Sequence, residues 1–229
     1  MFLNDLIDHH RRKLQTPLDS LGMDSAKLAD QEKLLNSIYS DDVTLTLPEQ
    51  SQGTCLLYGE IEYTSFAAIL ATVNKIVGPE FADFKTFYDI GCGRGKPVFA
   101  AAMLYDNLEA IGVEMVGSLI QQAESALSRA KKSEHASMSA LQRVRFLEAD
   151  CMTQDYSNAD IIFANSTAFD FSFMKQLAAA LSTVTEGLDI RLQDCLHSLN
   201  VLIRTVNFYF RQGSDNIHKS HSGCKLDRG

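Results

Sequence analysis

A glycine-rich turn is the part of this sequence whose residue types and spacing are most typical of a ligand site. It reads Asp89-Ile90-Gly91-Cys92-Gly93-Arg94-Gly95 and lies between a predicted strand and a predicted helix. Glycines let the backbone turn tightly and let a ligand approach closer than a Cβ would permit. The first N–H groups of the following helix also lack partners within that helix. By itself the motif is equally compatible with a plain structural turn, so its context decides the interpretation.

Three polar residues follow at the ends of later predicted strands. Glu114 comes 19 residues after Gly95, and an acidic residue about 20 residues on is what ribose hydroxyls require. Asp150 ends a third predicted strand, and Asn165 ends a fourth. Ligands of open α/β sheets bind in the crevice at the carboxyl ends of the strands. We therefore expect these groups to converge on the glycine turn.

Asp89 indicates which class of ligand the turn accepts. A carboxylate at this position can hold a cationic amino acid group, whereas it would repel the pyrophosphate of a dinucleotide. The turn also departs from the G-x-G-x-x-G spacing of dinucleotide sites. The local chemistry therefore favours S-adenosylmethionine over NAD.

Strands that alternate with helices are predicted to position these residues. Strands are expected at 86–90, 110–114, 143–147 and 160–164, and helices at 63–77, 97–104, 118–132 and 171–181. This alternation predicts an α/β fold, with a Rossmann-like parallel sheet covered by helices on both faces. Residues 199–210 are rich in strand-forming residues and predict one more strand. We expect a helical N-terminal arm at 1–54, a catalytic domain at 55–210 and a polar, disordered tail at 211–229.

Composition narrows the class of protein. Hydrophobic residues make up 45% of the 229 residues and charged residues 22%, as in ordinary globular proteins. A net charge of −8 argues against a strong nucleic-acid patch. The five cysteines are odd in number and form no C-x-x-C pair, which argues against a zinc module or a disulfide framework. We expect no metal, and no apolar run reaches the roughly 20 residues of a membrane span.

Several short segments occur in the order found in one protein family. They are Tyr58-Gly59-Glu60, the glycine turn with Lys96, Gly112-Val113-Glu114, Ala149-Asp150, and Asn165-Ser166-Thr167-Ala168-Phe169. Over roughly residues 55–185 the chain resembles the disruptor-of-telomeric-silencing family, the non-SET histone-lysine methyltransferases. The resemblance implies a class I methyltransferase fold that uses S-adenosylmethionine to methylate a lysine on the globular core of histone H-three.

The resemblance also implies a role for each matching residue. The methionine end of the cofactor would be lined by Asp89, Gly91, Gly93, Gly95 and Lys96. Glu114 would take the ribose hydroxyls, and Asp150 would meet the adenine amine with Cys151 beside the ring. The preceding arm would close over the cofactor with Tyr58 and Glu60. The catalytic neck that admits the target lysine, and that also touches the cofactor, would be formed by Asn165 and Phe169.

The sequence departs from the family pattern both in the neck and toward its C-terminal end. Ser166-Thr167 replaces a more usual Asn and Phe in the neck, which predicts a wider and more polar channel. After Glu186-Gly187 the resemblance ends, so we expect C-terminal strands that are incomplete or built from other segments. Two alternatives stay open: a class I methyltransferase acting on a non-histone protein, RNA or a small molecule, and an inactive cofactor-binding fragment.

The resemblance also implies partners and a location. We expect a histone or nucleosome as substrate, no membrane association, a monomeric chain, and residence in the nucleus or in both nucleus and cytoplasm. The basic cluster of residues 9–13 is expected to be a solvated helix face.

Overall fold

The computed structural model describes residues 24–39, 61–132, 138–165, 169, 171–184 and 206–210. Within these residues the helices are α1 (Ser25–Ile38), α2 (Tyr63–Val77), α3 (Lys96–Leu104), α4 (Gly117–Lys132) and α5 (Phe171–Val184). The strands are β1 (Thr86–Ile90), β2 (Glu109–Glu114), β3 (Val144–Glu148), β4 (Ile161–Asn165) and β5 (Val206–Phe210). Short 3₁₀ turns occupy Gly78–Asp83 and Ser139–Gln142.

The strands form one sheet in the order β3-β2-β1-β4-β5. The first four strands are parallel, and β5 pairs with β4 in the antiparallel direction, with Val206 opposite Asn165. The predicted α/β class with a parallel sheet is therefore confirmed. The segment after Gly187 does add a strand to this sheet, at the end of the predicted 199–210 run, and it covers the edge of β4.

The predicted boundaries agree closely with the observed ones in the middle of the chain. Helix α2 and strand β1 begin and end at the predicted residues, because Gly78-Pro79 stops the helix and Gly91 stops the strand. Helix α5 continues to Val184, past the predicted end at 181. Predictions for residues 1–23, 40–60 and 211–229 lie outside the described residues.

The core lies on both faces of the sheet, and β1 at its centre is buried along its whole length. Successive side chains of a strand point to opposite faces. Phe87 packs on one face, where Phe66 of α2 meets Phe163 of β4 with ring centroids 5.3 Å apart. Tyr88 belongs to the second cluster, on the other face. Asp89 shares the face of Phe87, which places a carboxylate beside an apolar core.

Helix α1 packs onto this domain through an apolar stripe and through hydrogen bonds of the Gln31 side chain. Gln31 Nε2 donates to the carbonyl of Met103 at 2.6 Å, and Tyr63 donates its hydroxyl to Gln31 Oε1 at 3.0 Å. Gln31 thus joins α1, α2 and the C-terminal end of α3. The helix buries Leu28, Leu35 and Ile38 in the first core cluster. None of the helices in the described part of the chain has the length and hydropathy needed to cross a membrane.

Arg143 fixes the connection from α3 to β2. Its Nη1 donates to the carbonyls of Tyr105 and Leu108, each at 2.8 Å. Its Nη2 donates to the carbonyl of Ala102 at 2.8 Å and pairs with Asp106 at 3.1 Å. A helix leaves its last carbonyls without partners inside the helix, and a cation there also meets the negative end of the helix dipole. One guanidinium therefore closes the C-terminal end of α3.

Replacing Arg143 with Met is expected to lower the free energy of unfolding by roughly 2–4 kcal/mol, because several charge-assisted hydrogen bonds are lost together. Arg145→Met, two residues on, is the matched control. It breaks an exposed ion pair with Glu109 at 2.7 Å and is expected to cost less than about 1 kcal/mol. Urea denaturation of both variants measures the difference, and equal losses would contradict the role given to Arg143.

Candidate functional site

The glycine turn is held at the carboxyl end of β2 by backbone hydrogen bonds. The amides of Gly91 and Cys92 both donate to the carbonyl of Val113, at 2.8 and 3.1 Å, and Gly95 N donates to Cys92 O at 2.8 Å. Gly91, Gly93 and Gly95 have φ values of 69°, 55° and 87°. L-residues with side chains adopt this left-handed region only with strain. The turn therefore needs glycine at all three positions.

Close packing against Phe146 imposes a second requirement on two glycines. A Cβ added at Gly95 would overlap Phe146 Cε1, and one at Gly112 would lie 2.9 Å from Phe146 Cδ1 and 2.6 Å from Cys92 Sγ. The Phe146 ring also contacts Phe99 of α3, with centroids 5.8 Å apart. This one side chain of β3 supports the turn from the side of the core.

Glu114 braces the turn with its carboxylate. Oε2 accepts a hydrogen bond from Gly93 N at 3.1 Å, and Oε1 accepts one from Val116 N at 2.9 Å. An ionised carboxylate has about four acceptor positions, so two of them serve the protein backbone here. The other acceptor positions fit the predicted role with ribose hydroxyls, in addition to this bracing role.

Asp89 carries the least compensated polar group of the turn. Its side chain is 1% exposed, and Oδ2 has no hydrogen-bond partner among the described residues. Burial, and secondarily the negative charge of Glu114, hold the pKa of the Asp89 carboxyl well above its usual range. Buried polar groups in proteins are nearly always paired. A cationic ligand group at the turn would supply the pairing, so the residues present fit the amino acid moiety of S-adenosylmethionine.

Asp150 and Cys151 follow β3, as predicted. Asp150 is exposed, and its Oδ1 accepts from Met152 N at 2.9 Å, which shapes the turn after the strand. Burial, followed by the charge of Asp150, raises the pKa of the half-buried Cys151 thiol to about 11. At neutral pH this thiol is protonated. It is therefore a packing group rather than a nucleophile.

The two predicted neck residues lie at the end of β4 and just beyond it. Asn165 is the last residue of β4 and is half-buried. Phe169 lies directly against the turn, since a Cβ added at Gly91 would be 2.8 Å from Phe169 Cζ. Its ring also packs on Phe173, with centroids 4.8 Å apart. The predicted roles of Tyr58, Glu60, Ser166 and Thr167 fall outside the described residues.

Lys96 contacts Tyr39, a residue that the sequence analysis missed. Its Nζ lies 5.3 Å from the ring centroid of Tyr39, as does Cζ of Arg94. Tyr39 donates its hydroxyl to the carbonyl of Arg94 at 2.6 Å. No motif in the sequence indicates this contact between residues 55 positions apart.

A second missed residue, Met115, directly follows Glu114 and is 68% exposed. It is the exposed large hydrophobic residue of the described chain, and it stands beside the carboxylate predicted to bind ribose. A large apolar residue directly after the predicted ribose-binding acid is visible in the sequence, so Met115 could have been identified from it.

Comparison with known proteins identifies one family. A family model described as histone methylation protein DOT1 matches residues 38–213, which takes in the whole site and extends past Gly187. No curated protein sequence matches the chain significantly.

The solved structures similar to this chain include two methyltransferases. The glycopeptide N-methyltransferase MtfA complexed with (S)-adenosyl-L-methionine has 18% identity and a TM-score of 0.42, with 61% of this chain and 56% of that one covered. Coclaurine N-methyltransferase bound to N-methylheliamine and SAH has 18% identity and a TM-score of 0.32, with 72% and 58% covered. The chain thus spans less than three-fifths of the length of either structure.

Gly95→Ala is expected to destabilise the fold by about 2 kcal/mol or more, since a left-handed residue with a Cβ costs roughly 1–2 kcal/mol and the overlap with Phe146 adds to it. In a Phe146→Leu background the same change should cost less, with a coupling above about 0.5 kcal/mol. Gly78→Ala is the control, because its Cβ would meet only Glu80 Oε2 at 3.4 Å. Additive losses for Gly95→Ala and Phe146→Leu in urea denaturation would contradict the packing argument.

Asp89→Asn is expected to change how stability depends on pH in the ligand-free chain. The pKa of the buried carboxyl is raised, so its contribution is fully present below the ordinary Asp range and is lost as pH rises through the raised pKa. The asparagine variant lacks this loss. Its free energy of unfolding should therefore rise by more than about 1 kcal/mol relative to that of wild type between pH 5 and pH 8.5. Unfolding free energies across that range test this; parallel curves would show that Asp89 does not titrate as described.

Proposed function

Because this chain belongs to the family of histone methylation proteins described as DOT1, we propose that it is an S-adenosylmethionine-dependent methyltransferase acting on a lysine of a histone. The family predicted from the short sequence segments is confirmed by this membership. The observation that carries the proposal furthest is the buried Asp89 carboxylate, whose Oδ2 has no hydrogen-bond partner among the described residues, at a turn braced by Glu114. That arrangement suits a ligand with both a cationic amine and ribose hydroxyls.

Each part of the cofactor has a residue suited to it. Asp89 would pair with the ammonium of the methionine moiety, and Glu114 would accept from the ribose. Asp150 and Cys151 would flank the adenine, and the exposed Met115 side chain offers it an apolar surface. Because the glycine turn is already closed by Val113 and Glu114, little ordering is needed on binding, which favours affinity. When bound, S-adenosylmethionine supplies a methyl group on a cationic sulfur, so no covalent enzyme intermediate is needed.

The neck residues would prepare the acceptor. A lysine must be a neutral amine before it can accept a methyl group, and removal of water from the amine lowers its pKa by disfavouring the charged form. Phe169 supplies an apolar ring at the turn, packed against Gly91. Asn165 supplies an amide at the carboxyl end of β4, on the same side of the sheet as the turn. Positioning and desolvation by these residues would provide most of the rate.

The charge of the chain is consistent with a basic protein substrate. A net charge of −8 favours encounter with a histone through complementary potentials. We infer a nuclear location from that substrate, and a monomeric chain that makes no strong nucleic-acid contact of its own. The alternative, a methyltransferase for another protein, RNA or a small molecule, is favoured by Ser166-Thr167, where the family usually has Asn and Phe.

Cofactor recognition is tested by calorimetric titration with S-adenosylhomocysteine and with methylthioadenosine, which lacks the amino acid moiety. Wild type is expected to bind both. Asp89→Asn should weaken S-adenosylhomocysteine by at least tenfold, since loss of a buried charge partner is costly, and should leave methylthioadenosine within about twofold. Equal loss for both ligands would remove Asp89 from the amino acid subsite.

The substrate is tested by incubating the chain with tritiated methyl donor and either nucleosomes, free histones, RNA or a cell lysate. Histone labelling is expected and should disappear in Glu114→Ala. Glu109→Gln, at the opposite end of the same strand, is the matched control and should retain activity. Labelling confined to RNA or to small molecules would overturn the histone proposal while leaving the cofactor site intact.

A further inference from the structure

We propose that Tyr39, directly after α1, is a positioning residue of the glycine turn whose own contacts set the geometry of residues 92–96. The proposal rests on the proposed function, because it assigns Tyr39 an effect on cofactor affinity. Tyr39 follows directly after α1 and is 7% exposed. The other site residues lie at the carboxyl ends of the strands, whereas Tyr39 reaches the turn from the end of a helix.

The hydroxyl of Tyr39 acts on one peptide plane of the turn. It donates to the carbonyl of Arg94 at 2.6 Å, while the amide of the same peptide, Gly95 N, donates to Cys92 O at 2.8 Å. In a planar trans peptide these two groups point in opposite directions. The Arg94–Gly95 peptide is therefore held at both ends, so its orientation is fixed before a ligand arrives.

The ring of Tyr39 organises the two cations of the turn. Arg94 Cζ and Lys96 Nζ each lie 5.3 Å from the ring centroid, within the range of a cation–π interaction. The ring also meets Phe99 of α3 edge to face, with centroids 5.9 Å apart. Tyr39 thus contacts the residues on both sides of Gly95 and the first turns of α3.

The anchoring of α1 brings these contacts into register. Arg129 Nη2 donates to the carbonyl of Ile38 at 3.3 Å, so α4 holds the peptide that precedes Tyr39. Gln31 anchors the same helix at Met103, near the C-terminal end of α3. Met103 and Lys96 are seven residues apart, roughly 10 Å along a helix. Gln31 therefore docks α1 far from the turn, whereas Tyr39 contacts the turn directly. The effects of the two side chains can be measured separately.

Tyr39→Phe and Gln31→Met provide the test. Tyr39→Phe removes a hydrogen bond to the turn, whereas Gln31→Met removes two that dock α1 and none to the turn. Affinity for S-adenosylhomocysteine is measured by calorimetry at a temperature where both variants are folded, as judged by thermal unfolding. Tyr39→Phe is expected to weaken binding about fivefold to tenfold, the equivalent of one hydrogen bond. Tyr39→Leu, which also loses the ring contacts, should weaken it further. Gln31→Met should lower the unfolding temperature and leave affinity within twofold.

Amide exchange of Gly95, followed by NMR in the ligand-free protein, gives a second measurement that does not depend on the ligand. It should be faster in Tyr39→Phe than in Gln31→Met at matched stability. Equal affinity and equal exchange in wild type and Tyr39→Phe would overturn the proposal, as would an equal loss of affinity in Gln31→Met. A wild-type chain that binds no S-adenosylhomocysteine would overturn the proposed function, and this inference with it.

Discussion

The carboxyl end of β2 supports the part of the molecule where function is concentrated. The carbonyl of Val113 takes two amides of the glycine turn, and the carboxylate of Glu114 takes a third. These contacts fix where β1 ends and where α3 begins. The positions of Asp89 at the start of the turn and of Lys96 just after it follow from them. Because the same carboxylate is suited to hold ribose, the support of the turn and the recognition of the ligand are not separable.

The site also carries a cost in stability. Asp89 is a buried carboxyl on the face of an aromatic core, and burial raises its pKa. Three glycines in left-handed conformations add a further entropic cost. Such compromises are common where activity requires a strained or polar arrangement. Elsewhere the stability comes from Arg143, which closes the C-terminal end of α3, and from the apolar stripe of α1 in the first core cluster.

Much of the fold could be predicted because local signals and tertiary packing agree. Gly78-Pro79 ends α2, and the apolar run before Gly91 defines β1. The spacing predicts Glu114 near the turn, and the resemblance implies Phe169 in the neck beside Asn165. The structure places both side chains next to the turn. Tyr39 could not be found in this way, because its contact depends on how α1 crosses the turn and leaves no periodic trace. The antiparallel direction of β5 could not be predicted either, because a run of strand-forming residues does not determine which strand it pairs with or in which direction.

The packing of Phe146 between Gly95 and Gly112 has a consequence for how this chain can change through descent. Neither glycine can acquire a side chain while the ring is present, and loss of the ring alone leaves a void beside the turn. Loss of the ring would not free either glycine, because Gly95 is also fixed by its positive φ and Gly112 by its contact with Cys92. Substitution at Phe146 is therefore open to a smaller side chain at the cost of a void, whereas both glycines stay closed to any side chain.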